Sequence, residues 1–444
     1  MKLPGTVAGR SYVSVPNEEK PGVVKEGLLE QVLGDDNLRP ALKRVKANKG
    51  APGVDGMRVE ELEPYLAEHW PDIREKLLAG TYRPTPVRRV EIPKPGGGVR
   101  LLGIPTALDR LIQQMLHQVL SPLFDPGFSE SSFGFRPGRR AHQAVERAKQ
   151  YIEEGYDWMV EIDAEKYFDR VNHDVLMARV ERLVKDRRVL RLIRRYLRAG
   201  VMVSGVVQET AMGTPQGGPL SPLLANILLD DLDQELERRG QRFVRYADDL
   251  SVFVRSKKAG ERVLKSLRRY LEGRLRIKVN QQKSRVDRPW RLTILGFSFL
   301  KRREGIRIRI ATRSLKRVRE AIRRITARSW GIAMSERIAR LNRYLRGWVG
   351  YFRLADAAKQ PIAELDEWLR HRLRQCRLKE WKRSKTRYRE LVALGVSRKE
   401  ARKISGSRKG TWRLSLTPQL HRALGTAYWQ GLGLNFASDF YRSR

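Results

Sequence analysis

Apolar residues recur at helical spacing through the last third of the chain. One stripe occupies residues 315–325, a second residues 338–352 and a third residues 365–376, with apolar side chains three or four positions apart. Residues at this spacing share one face of an α-helix. The pattern predicts three amphipathic helices that pack as a small bundle with their Lys and Arg side chains outward.

Shorter apolar runs in the first 300 residues predict β-strands. Residues 88–102 form two such runs around a Lys-Pro-Gly-Gly-Gly sequence at 94–98, which is typical of a hairpin. Residues 158–163 predict a single strand. Residues 242–246 and 250–255 are rich in aromatic and β-branched side chains and are separated by only three residues, so we expect a second hairpin there.

Helices are also expected between these strands. One is predicted to begin at Ser221, with Ser221 as its N-cap and Pro222 in the first helical position. The other predicted helices lie at residues 38–46, 59–66, 71–79, 109–120 and 141–154.

The composition is that of a folded and strongly basic protein. The 444 residues include 90 Lys+Arg against 50 Asp+Glu, a net charge of +40, yet 41% are hydrophobic, which excludes a disordered basic tail. Residues 301–444 hold 38 basic and 11 acidic residues, a net of +27, which leaves only +13 for residues 1–300. A basic helical region of this kind predicts binding to a polyanion, with nucleic acid as the first choice.

The single cysteine, Cys376, excludes a disulfide framework and a Cys-rich zinc module, and it fits a reducing cytosol. The N-terminus lacks the apolar core of a signal peptide, and no apolar run reaches 18 residues. We therefore expect a cytoplasmic protein that associates with nucleic acid and not with a membrane.

Three carboxylates are the candidates for chemistry. Asp163 ends the strand at 158–163, and Asp248 and Asp249 lie at the tip of the second predicted hairpin. Adjacent carboxylates repel each other unless a cation neutralises them, and Mg²⁺ prefers such oxygen ligands. Together they are suited to holding two metal ions for an in-line phosphoryl displacement. The alternative is an exposed Asp-Asp turn, but apolar arms on both sides argue against it.

Tyr246-Ala-Asp-Asp249 and the strand that ends at Asp163 resemble the palm of a reverse transcriptase. The loop Gly-Thr-Pro-Gln-Gly-Gly-Pro-Leu-Ser-Pro at 213–222 resembles a loop of the same superfamily. Four further stretches narrow the resemblance to the reverse transcriptase/maturases of bacterial group II introns. They are Asn-Lys-Gly-Ala-Pro-Gly-Val-Asp-Gly at 48–56, Ile-Pro-Lys-Pro-Gly at 92–96, Gly-Phe-Arg-Pro-Gly at 134–138 and Leu-Asn-Arg-Tyr-Leu-Arg-Gly-Trp at 341–348.

The resemblance implies an α+β fold, in which a right-hand polymerase with antiparallel sheet in its fingers and palm precedes an all-helical thumb/maturase region. It divides the chain into an N-terminal tail, an N-terminal extension with fingers, a palm with the remaining fingers elements, the thumb/maturase domain, and the end of the maturase region with a short DNA-binding extension. These are residues 1–30, 31–150, 151–300, 301–395 and 396–444. Many relatives add an endonuclease with Cys pairs, so this chain resembles the endonuclease-lacking, class C-like subgroup.

The resemblance also implies roles for individual residues. Asp163, Asp248 and Asp249 are the catalytic carboxylates and, with the backbone carbonyl of Ala164, the metal ligands. Phe168 would pack under the incoming sugar and exclude a 2′-hydroxyl, unless it is an ordinary core residue. The other nucleotide-binding residues implied are Lys94, Arg100, Gln216 and Lys283. The turn implied to support the primer is Leu295, Gly296 and Phe297, and the implied RNA contacts are Arg317, Arg324, Arg340 and Arg346.

The implied activity is RNA-directed DNA synthesis from dNTPs with two Mg²⁺ ions, for which Mn²⁺ is a substitute. The implied partners are group II intron RNA, an RNA template with a DNA primer, and target DNA, while a homodimer is left open. The residues alone do not separate this activity from a reverse transcriptase of DNA repair or phage defence, or from a splicing-only maturase. They also leave open whether five tryptophans of the basic region stack on exposed bases or anchor the core; these are Trp348, Trp368, Trp381, Trp412 and Trp429.

Overall fold

Strands and helices are interspersed as far as residue 310, and from there to residue 442 the described chain contains helices and no strand. The computed structural model describes residues 27–93, 98–165, 167–203, 206–208, 212–213 and 217–442. The strands are β1 (Val87–Pro93), β2 (Val99–Ile104), β3 (Trp158–Ile162), β4 (Val201–Val203), β5 (Val206–Gln208), β6 (Arg242–Tyr246), β7 (Asp249–Val254), β8 (Arg285–Asp287), β9 (Phe297–Arg302) and β10 (Gly305–Ile310).

The helices fall into a group before the last hairpin and a group after it. The first group is α1 (Leu28–Val32), α2 (Asp35–Ala47), α3 (Leu62–Leu78), α4 (Ala107–Phe124), α5 (Ala141–Glu153), α6 (His173–Leu183), α7 (Arg187–Arg198), α8 (Ser221–Arg238) and α9 (Lys257–Arg274). The second is α10 (Thr312–Ile325), α11 (Met334–Phe352), α12 (Lys359–Glu380), α13 (Ser384–Ala393), α14 (Arg398–Ser405), α15 (Thr411–Leu414), α16 (Pro418–Ala423), α17 (Thr426–Gly431) and α18 (Ala437–Arg442).

Both predicted hairpins are confirmed, each in its own four-stranded sheet. In the first sheet β1 and β2 pair antiparallel, and β4, itself paired with β5, runs parallel to β1. In the second sheet the order is β6-β7-β3-β8, and every pairing is antiparallel. The prediction of antiparallel sheet followed by an all-helical region is therefore confirmed.

The second sheet is buried on both faces and separates two apolar cores. Val160 and Val252 contribute to one core, together with helices α1 to α4 and α6 to α9. Met159, Val244 and Phe253 contribute to the other, together with α5, the β9–β10 hairpin and the helices that follow. Side chains of a strand alternate between its faces, so the two cores are built from interleaved residues of the same strands.

Three expectations differ from the structure. Residues 59–66 and 71–79 belong to one helix, α3, because Leu62, Leu66, Ile73 and Leu77 form a single buried stripe that continues past Pro71. Pro71 is exposed, so the carbonyl that it leaves without an intrahelical partner can face water.

The start of α8 differs by one residue from the prediction. Leu220 already has helical backbone angles and is buried in the first core, so Ser221 is the first helical residue and does not cap the helix. Residues 28–30, which the sequence assigns to a tail, belong to α1, where Leu28 and Leu29 are buried. Across the described residues, no helix combines the length and the apolar character needed to cross a bilayer.

The packing of α9 on the second sheet gives a test of this fold. A Cβ added at Gly260 would lie 2.5 Å from a methyl carbon of Val286, so Gly260→Ala should push α9 off the sheet and destabilise the protein by about 1–3 kcal/mol. Gly273→Ala, in the same helix with open space around it, should be neutral or stabilising by up to about 1 kcal/mol. Urea denaturation followed by tryptophan fluorescence measures both, and equal effects would contradict the packing described.

Candidate active site

The register of the second sheet brings the candidate carboxylates together. Tyr246 pairs with Asp249 across the hairpin, so Ala247 and Asp248 form its two-residue turn, in which Ala247 has a φ of 56°. Strand β3 pairs with β7 so that Ile162 lies opposite Leu250. The next step of the same register places Asp163 beside Asp249, where β3 ends.

The neighbouring carboxylates raise the proton affinity of Asp249. Burial raises the pKa of Asp249 to about 6, and the negative charges of Asp248, Asp163 and Glu161 add to this effect. The described residues contain no group of three His, Cys, Asp or Glu side chains arranged to hold a metal ion by themselves. Mg²⁺ commonly takes one or two carboxylates and completes its shell with water and substrate phosphates, so these carboxylates fit it.

A loop after α9 closes the other side of Asp163. The Lys283 ammonium lies 3.2 Å from an oxygen of Asp163. The backbone N–H of Asp163 donates to the hydroxyl of Ser284, and the Asp163 carbonyl accepts from the N–H of Asn280. Ala164 forms a bridge with Val279 in the same loop. The structure thus places Lys283 and Ala164 beside Asp163, and their roles toward phosphate and metal remain predictions.

A buried ion pair holds the turn from beneath. The guanidinium of Arg245 donates to Asp233 of α8 at 2.8 Å, and both side chains are fully buried. The same guanidinium donates to the Ala247 carbonyl at 3.0 Å and to the Asn226 amide oxygen at 2.9 Å. Because Arg245 bonds the turn residue itself, the position of Asp248 and Asp249 depends on this ion pair.

The Gly-Phe-Arg-Pro-Gly stretch at 134–138 packs directly against the turn. A Cβ added at Gly134 would lie 2.3 Å from the backbone nitrogen of Ala247, so only glycine fits there. The Gly134 carbonyl accepts from the Asn226 amide at 2.8 Å. Arg136 is buried and bonds Asp125 at 2.8 Å together with the carbonyls of Ser129 and Ser132.

A cleft of about 820 Å³ lies between α2, α4, the 134–138 stretch and the start of α8, and none of the candidate carboxylates lines it. Phe168 lines it, half-buried and edge-on to Tyr167, together with Gly217 and Gly218. A Cβ at Gly217 would lie 2.6 Å from the carbonyl of Gly103 in β2, and one at Gly218 would lie 2.2 Å from a side-chain oxygen of α4. These glycines therefore allow residues 217 and 218 to approach β2 and α4 closely.

Three predicted nucleotide contacts are less fully described. The backbone of Arg100 lies in β2 opposite Ile92, which places it on the strand that borders the cleft. Lys94 and Gln216 lie outside the described residues. Their roles remain predictions.

Comparison with known proteins agrees with this geometry. The family model described as "Reverse transcriptase (RNA-dependent DNA polymerase)" matches residues 92–299, and that described as "Group II intron, maturase-specific domain" matches residues 315–395. The chain is 30% identical over 361 residues to Protein YkfC of Escherichia coli (strain K12), which covers 72% of this chain and 95% of YkfC. The chain belongs to the reverse transcriptase/maturase family of bacterial group II introns.

Other relatives match over shorter stretches. Group II intron-encoded protein LtrA of Lactococcus lactis subsp. cremoris is 35% identical over 241 residues, which is 54% of this chain but 40% of LtrA. The chain thus spans less than half of LtrA. The solved "Partial Cas6-RT-Cas1--Cas2 complex" is 26% identical over 55% of this chain and 42% of that one, with a TM-score of 0.36.

In this reverse transcriptase the turn predicted to support the primer connects the palm to the helical region. Leu295 and Gly296 both have positive φ angles, 50° and 86°. The Gly296 carbonyl accepts from the Ser314 hydroxyl at 2.9 Å, and the Leu295 carbonyl accepts from the Tyr351 hydroxyl at 2.8 Å. Phe297 is fully buried, next to the rings of three residues of α5 and α11, namely His142, Tyr351 and Phe352.

The predicted RNA contacts all lie on the surface of the helical region, but they are not equivalent. Arg317 and Arg324 are exposed on α10. Arg340 pairs with Glu336 at 2.6 Å and covers the ring of Trp330, whereas Arg346 covers the ring of Phe440. Arg317 and Arg324 are therefore the better placed to meet a phosphate, since neither forms an ion pair with a described carboxylate.

Sequence reasoning missed the framework beneath the site. Arg245 is a charged residue inside an apolar strand, and Asn226 and Asp233 lie seven residues apart on a helix face that is otherwise apolar. These polar and charged residues at otherwise apolar positions were the signal available in the sequence.

Arg110 was missed as well. It lines the cleft, two of its guanidinium nitrogens have no partner among the described residues, and burial lowers its pKa.

The ion pair gives the second test. Asp233→Asn leaves the Arg245 guanidinium buried without a counter-charge, so the free energy of unfolding should fall by about 3–5 kcal/mol. Primer extension should fall with it, because the turn loses its anchor. Glu235→Gln is the matched control, since Glu235 lies on the same helix and pairs with exposed Arg238 and Arg239. An unchanged urea midpoint for Asp233→Asn would show that the pair does not support the turn.

Proposed function

We propose that this reverse transcriptase copies RNA into cDNA by two-metal nucleotidyl transfer, and that it binds its group II intron RNA to promote splicing and mobility. The observation that carries the proposal is the register that sets Asp163 beside Asp249 at the tip of a buried hairpin. Like charges held close together destabilise the folded protein, so such a cluster indicates a functional role in binding metal and substrate.

The carboxylates are the proposed ligands of Mg²⁺, with Mn²⁺ as a substitute. The ions would be held by Asp163, Asp248, Asp249 and the Ala164 carbonyl. They would neutralise the charge that develops on the phosphate being transferred. Lys283, now paired with Asp163, is proposed to turn toward the phosphates of the incoming dNTP. Lys94, Arg100 and Gln216 are proposed to bind the same nucleotide.

The cleft is the proposed site of the nucleotide sugar and the template. Phe168 lines this cleft. Its ring is proposed to fill the space that a 2′-hydroxyl would need, so that a deoxyribose is accepted and a ribose is rejected. The turn of Leu295, Gly296 and Phe297 is proposed to hold the primer end, because its backbone is fixed from both sides by hydrogen bonds to the helical region.

The helical region is the proposed binding surface for intron RNA and target DNA. Residues 301–444 carry a net charge of +27, and exposed Arg and Lys side chains neutralise phosphates without reading sequence. Arg317, Arg324 and Arg346 are the proposed contacts, while Arg340 contributes after its exposed pair with Glu336 opens. The match to the maturase-specific domain over residues 315–395 supports this assignment.

The third test removes the carboxylates at the turn. Asp248→Asn combined with Asp249→Asn should reduce Mg²⁺-dependent primer extension on an RNA template by about 10³-fold or more, because several kcal/mol of charge stabilisation are lost. Intron RNA binding should be unchanged, since these side chains lie in the palm. Asp174→Asn, at an exposed aspartate of α6, is the control. Full extension by the double variant would refute the site. If the unaltered protein extends a primer but has no effect on intron splicing, it is a polymerase and not a maturase.

The fourth test concerns the sugar. Phe168→Val opens space in the cleft wall, so incorporation of ribonucleotides relative to deoxynucleotides should rise by at least about tenfold. Tyr167→Phe keeps the neighbouring ring and should leave the ratio unchanged. Single-nucleotide incorporation with dNTP and rNTP in parallel measures the ratio, and an unaltered ratio for Phe168→Val would exclude the gate.

A further inference from the structure

A notch between α10, α12 and α15 gathers aromatic and basic side chains far along the chain from the candidate active site. It has a volume of about 600 Å³. Its principal lining residues are Arg323, Arg328, Trp368, Arg372, Gln375 and Trp412. None of them belongs to the polymerase site or to the four arginine contacts that the resemblance implies, but Trp368 and Trp412 are two of the tryptophans whose role the sequence leaves open.

The notch separates the tryptophans that anchor the core from those that face outward. Trp429 and Trp381 are 0% and 7% exposed and belong to the second core, whereas Trp412 is 40% exposed. His371 stacks on Trp412 with ring centroids 3.6 Å apart, which fixes the indole in place. Trp368 is half-buried under the Arg323 guanidinium at 5.6 Å. The notch therefore presents held aromatic surfaces of the kind on which bases stack.

The positive charge in the notch is not neutralised. Arg323, Arg328 and Arg372 form no ion pair with any described carboxylate. Arg372 instead donates to the hydroxyl and the carbonyl of Thr326. Burial lowers the pKa of Arg372, and the like charges of Arg323, Arg337 and Arg328 lower it further. Guanidinium groups held together without a counter-ion are suited to phosphate.

Gln375 supplies a polar side chain in the wall of the notch. Its residue surface is 5% exposed, and its side-chain amide forms no hydrogen bond with the described residues. An amide in the wall of a cavity offers both a donor and an acceptor to a ligand. The edge of a nucleobase offers both.

We propose that the notch binds one unpaired nucleotide of a nucleic-acid strand. The base stacks on Trp412 and Trp368, the Gln375 amide bonds its edge, and Arg323 and Arg328 bind the flanking phosphates. The inference rests on the proposed binding of nucleic acid by the helical region, and it names the structural unit that this region recognises. A fully paired helix does not fit, because its bases are stacked on one another and unavailable to the indoles.

The test uses the full-length protein and an RNA stem-loop with a single bulged 2-aminopurine, beside the same stem fully paired. Binding should quench the 2-aminopurine, and Trp412→Leu should abolish the quenching and weaken binding of the bulged stem about tenfold. Its affinity for the paired stem should stay the same. Trp330→Leu is the matched control, because Trp330 is similarly exposed and also lies under an arginine, Arg340, but is outside the notch.

Two further variants keep the test independent of any folding defect at Trp412. Gln375→Leu should weaken only the bulged stem, and Arg323→Gln with Arg328→Gln should flatten the salt dependence by about 1.5 in the log–log slope. A bulged DNA stem tests whether the notch prefers RNA or DNA. Affinity equal to that of the bulged RNA stem indicates a nucleotide site without sugar preference, and weaker binding of the DNA stem indicates a site for RNA.

Loss of affinity that is equal for bulged and paired stems, or equal for Trp330→Leu and Trp412→Leu, would overturn the proposal. Primer extension by the unaltered protein is measured separately. Extension without base-dependent binding refutes the notch and leaves the polymerase in place, whereas absence of extension refutes the polymerase alone.

Discussion

The candidate active site depends on one buried charge pair. Arg245 and Asp233 have no contact with water, and the same guanidinium bonds the carbonyl of Ala247 in the turn that carries Asp248. The turn needs such an anchor because Ala247, a residue with a side chain, adopts a left-handed backbone conformation that is unfavourable by itself. The ion pair thus offsets the cost of the left-handed backbone at Ala247 and fixes the position of the carboxylates.

The surroundings of the turn explain why motifs distant in sequence occur together. Gly134 lets one segment approach the turn from one side, and the 279–284 loop closes the other side through Lys283 and Ser284. Gly217 and Gly218 bring a third segment close to β2 and α4. Each motif therefore has a packing reason as well as a chemical one.

Sequence patterns predicted the parts of the fold in which one physical signal dominates. Alternation and turn chemistry located both hairpins, and helical spacing located α10, α11 and α12. The motif at 246–249 located the carboxylates. The patterns failed where tertiary packing overrode a local signal: a shared buried stripe carries α3 past Pro71, and burial of Leu220 begins α8 one residue early. They could not identify the partners of Arg245, since a buried ion pair joins a strand to a helix only after folding.

One sheet contributes side chains to two cores, and this limits how the protein can be divided into fragments that fold separately. Met159, Val244 and Phe253 face the second core, to which α5, the last hairpin and the helical region also contribute. A fragment that stops at the end of the palm would lose the part of this core that the helical region supplies and would expose the apolar side chains packed against it. The polymerase and maturase regions are therefore not modules joined by a linker, because they share the second core. Substitutions in that core from one region must remain compatible with the side chains of the other region.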